Sequence, residues 1–105
     1  LMTMVKSLLR GSAIANVMQK TKMKILIADP DEQIGKLIKK NKSAARYIFE
    51  TATTGFECLA KLETFQPDLV CLELMLPQIH GMEILRKIKT DPRTHQIGVI
   101  LTSAH

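Results

Sequence analysis

Asp29, Glu73 and Ser103 are the residues of this sequence best placed to do chemistry, because each directly follows an apolar run of strand length. KILIA at 24–28 runs into Asp29, LVCL at 69–72 runs into Glu73, and a run over 97–102 ends at Ser103. If the three runs are neighbouring parallel strands, two carboxylates and a hydroxyl converge at their carboxyl ends, where open α/β sheets bind ligands. Glu73 carries most of this argument, as an active-site acid. A carboxylate that ends a wholly apolar strand would cost several kcal/mol if it were buried unpaired. Asp29 has a second reading as a helix cap, and Ser103 as an ordinary loop hydroxyl.

The elements that must position these groups follow from pattern. After Asp29, the stretch Pro30-Asp31-Glu32 reads as a helix start: Asp29 as cap, Pro30 in the first helical position and Glu32 closing a D-x-x-E box. Ile34, Leu37 and Ile38 supply the apolar face of that helix. A polar break at Asn41-Lys42-Ser43 precedes a second strand over 46–52, rich in β-branched and aromatic residues. Thr53-Thr54-Gly55 then opens a helix whose apolar positions are Phe56, Leu59, Ala60 and Leu62, and Pro67 stops it. The run Leu69-Val70-Cys71-Leu72 has no polar face, as a parallel strand covered on both sides requires. A loop through Pro77 and Gly81 leads to a helix built on Met82, Ile84, Leu85 and Ile88, which Asp91-Pro92 breaks. Strands alternating with helices of about ten residues predict a doubly wound parallel sheet with right-handed crossovers.

Bulk properties narrow the function. A chain of 105 residues, 46% of them apolar, is enough for one core and too short for two. Lys and Arg number 15 against 10 Asp and Glu. Lys6, Arg10, Lys20, Lys22 and Lys24 all precede the first acid, so the excess of base belongs to the leader and the remainder is balanced. Nucleic-acid binding by the globular part is therefore not expected, since phosphate contacts need a basic surface. Cys58 and Cys71 lack C-x-x-C spacing and a His cluster, which predicts packing residues in a reducing compartment, the cytoplasm. No apolar run approaches the roughly 20 residues of a membrane helix.

Residues 23–104 resemble the response-regulator receiver family. The resemblance rests on MKILIADPDE at 23–32, on PDLVCLELMLPQIHGMEILRKIKTDPRT at 67–94 and on VILTSA at 99–104. It implies a flavodoxin-like α/β receiver fold lacking its last strand and helices, and a role in two-component phosphorelay signalling rather than enzyme catalysis. Family members take a phosphoryl group from a histidine kinase on an aspartate ending the third strand, with Mg2+ beside it. By this resemblance Glu73 stands at the phosphoacceptor position, Ser103 is the switch hydroxyl, and Asp29 and Asp31 make the acidic pocket. Any metal would be held by Asp29, Glu73 and the carbonyl of Met75, and weakly, because Pro30 falls where the family has its second acid.

Two departures lower the expected chemistry. Glu73 is one methylene longer than aspartate, which moves its carboxylate by about 1 Å in a site that needs in-line geometry. Pro30 removes one of the few carboxylates an octahedral Mg2+ site has. The leading expectation is a phosphorylation-independent receiver, partnered by signalling proteins such as a histidine kinase or an output domain. A competent phosphoacceptor using Glu73 or Asp31, and a structural dimerisation fragment, are the alternatives.

Residues 1–22 are expected to be a basic amphipathic leader or linker that makes no membrane contact, and 23–105 an incomplete receiver domain. The sequence ends before the family's fifth strand and its phosphate-binding lysine, which predicts an open edge at the fourth strand. The leader or a second chain, as a homodimer, would cover it.

Overall fold

The computed structural model describes residues 22–41 and 46–103. The expected leader lies outside the described residues except for Lys22. In chain order the elements are β1 (Met23–Ala28), α1 (Glu32–Lys40), β2 (Tyr47–Ala52), α2 (Gly55–Thr64), β3 (Leu69–Glu73), α3 (Gly81–Thr90) and β4 (Gly98–Thr102). The strands pair in parallel in the order β2-β1-β3-β4. Among the described residues this is the expected α/β fold, a receiver-like sheet shorter than the five-stranded form.

Register explains which residues build the core. Leu26, Val70 and Val99 are partners across β1, β3 and β4, as are Ala28, Leu72 and Leu101. Paired residues of a parallel sheet point to one face, and on this face Leu26, Ala28, Val70 and Leu72 form a cluster with Cys58 and Leu62 of α2 and Ile84 and Ile88 of α3. Ile25 and Ile27 point the other way and are also buried. A β-carbon on Gly35 would collide with the Thr51 side chain, so α1 lies close against β2 at that point.

Each helix start has a side-chain cap. Thr54 accepts from Glu57 N at 3.2 Å, and His80 Nδ1 accepts from Met82 N at 3.1 Å. For α1 the cap is Asp31, accepting from Gln33 N at 2.9 Å. This corrects the expectation that Asp29 caps α1, with Pro30 in its first turn and Glu32 completing the box. Asp29 is still engaged with the sheet, its N–H donating to Ala52 O at 2.9 Å, so the helix cannot begin until two residues later.

Four expected core positions are also on the surface. Leu37 is 62% exposed and Phe56 63%, and Ala60 and Met82 are exposed as well. The burial of α1 rests on Gly35, with Ile34 and Ile38 half-buried beside it. The α2 stop is as expected: Gln66 takes a left-handed φ of 53° just before Pro67, which cannot continue a helix. β4 pairs with β3 alone among the described residues, and Ile100 and Leu101 are 50% and 39% exposed on its opposite faces. No disulfide joins Cys58, which is buried, to Cys71, which is half-buried.

Candidate functional site

Glu73 is the only buried charged side chain among the described residues, at 4% exposure. It ends β3 one position after the Ala28–Leu72 pair, level with Asp29, which directly follows β1, and it is itself paired with Thr102 at the end of β4. Ser103 follows Thr102. Asp29, Glu73 and Ser103 therefore stand at the ends of three neighbouring strands.

The carboxylate of Glu73 is held by donors. Its Oε1 accepts from Met75 N at 3.3 Å and its Oε2 from Thr102 Oγ1 at 3.2 Å. These bonds offset the cost of burying a charged group. Thr102 did not stand out in the sequence. Its side-chain contact depends on the β3–β4 register, and the following Ser103 drew attention as the hydroxyl nearest a loop.

On the β1 side, Asp29 Oδ1 accepts from Asp31 N at 2.8 Å, while Asp31 Oδ1 is committed to the α1 cap. Asp29 is half-buried and Asp31 exposed. The residues implied for Mg2+ do not make a good cage. Pro30 has no side-chain oxygen, Asp31 serves the helix, and both Glu73 oxygens take hydrogen-bond donors. Among the described residues no three His, Cys, Asp or Glu side chains are grouped to share a metal ion.

The loop from β3 to α3 frames the site. Gly81 N donates to Leu74 O at 2.8 Å, folding the loop back on the end of β3. Its outer part is tied to α2: Gly55 N donates to Pro77 O at 2.8 Å, and Phe56 N to the Gln78 side chain at 3.2 Å. Gln78 adopts a φ of 74° to make that turn.

The chain belongs to the response regulator receiver domain family, whose pattern matches residues 25–105. It is 36% identical over 81 residues to the DNA-binding dual master transcriptional regulator RpaA of Synechocystis, covering 77% of this chain and 34% of that protein. The receiver protein domain from Methanoculleus marisnigri superimposes with a TM-score of 0.72 at 35% identity, over 81% of this chain and 69% of that one. The signal receiver domain of the DNA binding response regulator protein (merR) from Colwellia psychrerythraea gives 0.74 at 27% identity, over 80% and 70%. The chain thus spans about a third or less of the curated relatives it matches. A receiver domain is a module of two-component signalling that interacts with histidine kinases, and it is not itself an enzyme.

Proposed function

We propose that this chain is a receiver whose signalling does not depend on phosphoryl transfer, with Glu73 as a held negative charge at the phosphoacceptor position. The observation that carries this reading is the Glu73 carboxylate itself, 4% exposed, with one oxygen engaged by Met75 N–H and the other by the Thr102 hydroxyl. A nucleophilic carboxylate must meet the phosphoryl donor in line, and a longer side chain tied back to its own strand and the next is poorly set for that. Nor does it fully imitate a phosphorylated aspartate. It brings one negative charge, whereas a phosphoryl group brings roughly −1.5 to −2 and three acceptor oxygens.

Asp31 as a substitute acceptor has less support, because its carboxylate caps α1. Mg2+ at Asp29, Glu73 and the Met75 carbonyl would be weak. The test is incubation with acetyl phosphate and Mg2+, read by intact mass: no phosphoryl adduct is expected, and a stoichiometric adduct on Glu73 overturns the reading.

Partners in this reading are a histidine kinase or an output domain, in the cytoplasm, with Ser103 as a switch hydroxyl and 1–22 as a leader to the 23–105 receiver unit. Among the described residues no helix is long and apolar enough to cross a membrane. A homodimer is part of the same proposal, and β4 is the place to test it: among the described residues Gly98–Thr102 carries no charge or proline and exposes Ile100 and Leu101 on opposite faces. Light scattering on the eluting species checks this: a dimer that Ile100→Lys dissociates is expected, and a monomer in both chains counts against it.

A further inference from the structure

We propose that Thr102 is the positioning residue of the Glu73 carboxylate, a hydroxyl partner that holds the end of β4 against β3 without a phosphoryl group. The proposal rests on the reading of Glu73 as a held charge, and it assigns the holding to a residue that the family resemblance passes over in favour of Ser103.

Glu73 and Thr102 are paired positions of the parallel β3–β4 ladder, so their side chains leave the same face of the sheet. Thr102 Oγ1 donates to Glu73 Oε2 at 3.2 Å. Thr102 also grips β3 through its backbone, its carbonyl accepting from Leu74 N at 3.0 Å. One residue of β4 thereby fixes both the carboxylate and the first peptide of the loop that follows it. Met75 N donates to the same carboxylate from within that loop. The extra methylene of Glu73, a handicap for accepting phosphate, lets the carboxylate reach across to the next strand. An aspartate would place its oxygens about 1 Å short of this position.

The expected effect is moderate, because 3.2 Å is long for a hydroxyl bonded to a carboxylate. Amide hydrogen exchange and side-chain couplings on the full chain test it. Thr102→Val, which keeps shape and loses the hydroxyl, is expected to speed exchange at the Met75 amide about fivefold to tenfold. Thr102→Ser, which keeps the hydroxyl, should stay within about twofold of the parent. In a Glu73→Leu background, Thr102→Val should add nothing. Equal acceleration by the Ser and Val variants, or the same Val effect with Leu at 73, overturns the proposal.

A second measurement keeps Thr102 in place and so does not depend on the Val variant folding. Thr102 should show one χ1 rotamer in the parent and averaged rotamers in Glu73→Asp, and an unchanged single rotamer in both overturns the proposal. The two readings separate cleanly. A phosphoryl adduct on Glu73 with the coupling intact would remove phosphorylation independence and leave the Thr102 contact standing; loss of the coupling with no adduct would do the reverse.

Discussion

Gly81 lies against the backbone of Glu73, so closely that a β-carbon at Gly81 would stand 2.6 Å from the Glu73 carbonyl oxygen and 2.8 Å from Leu74 Cα. Both neighbours are main chain at the end of a central strand, and neither can swing aside as a side-chain tip could. Gly81→Ala must therefore push α3 away from β3. The expected cost is about 3 kcal/mol, at the upper end of overpacking effects, read as a fall in the urea midpoint. A loss below about 1 kcal/mol would mean that the loop has slack.

The two departures from the family's acids can be reversed separately. Neither the parent chain nor Pro30→Asp is expected to gain phosphoryl mass from acetyl phosphate. Glu73→Asp should gain it slowly, and Pro30→Asp with Glu73→Asp faster by about tenfold, since the second acid rebuilds the Mg2+ site. Equal rates for the last two variants would show that Pro30 is not limiting.

Cys58 sets an alkaline limit. Burial first, and the charge of Glu57 second, push its thiol from 9.0 up to about 11. Between those values the unfolded chain has lost the thiol proton and the folded chain has kept it. The stabilising contribution is whole below about pH 9 and is lost as the pH rises through about 11. Burial also pushes the Cys71 thiol up, which adds to the trend in the same direction. Unfolding free energies from urea melts from pH 8 upward should fall by no more than about 1.4 kcal/mol per pH unit for one proton, and Cys58→Ala should flatten that fall while lowering the plateau.

The division of labour between Asp31 and Asp29 can be measured in the same way. Asp31→Ala removes the α1 cap and should cost about 1 kcal/mol, with its largest amide shifts in the first turn of α1. Asp29→Ala should cost less, with its shifts at Asp31 and at the strand end. The opposite ranking would restore Asp29 as the cap.

Much of this molecule was legible from pattern, because continuous apolar runs followed by a polar residue locate strand ends well. The placement of Asp29, Glu73 and Ser103 at strand ends came from that rule; that the three strands are neighbours was a condition, which the order β2-β1-β3-β4 meets. The start of α1 was misplaced because Asp29 and Asp31 both have the right side chain, and only the Asp29 N–H bond to Ala52, set by the β1–β2 register, decides between them. Leu37 and Phe56 fit a helical period and still point to solvent, since periodicity says which residues share a face and not how much of that face is covered. Thr102 was invisible for a related reason. Its importance is a matter of which residue lies opposite Glu73, and a single sequence does not state cross-strand pairing.

The unequal seating of the helices has a consequence for local unfolding. α2 buries Gly55, Cys58 and Leu62, and α3 buries Gly81, Ile84 and Ile88, whereas α1 buries Gly35 alone. Opening free energies scale with what an element has to expose, so α1 should detach while β3, α2 and α3 remain assembled. Glu73, buried at the end of β3, should exchange with the slow part of the molecule. Asp29 and Asp31 directly precede α1 and should follow its faster opening, so neighbouring strand ends would carry residues that live on different timescales.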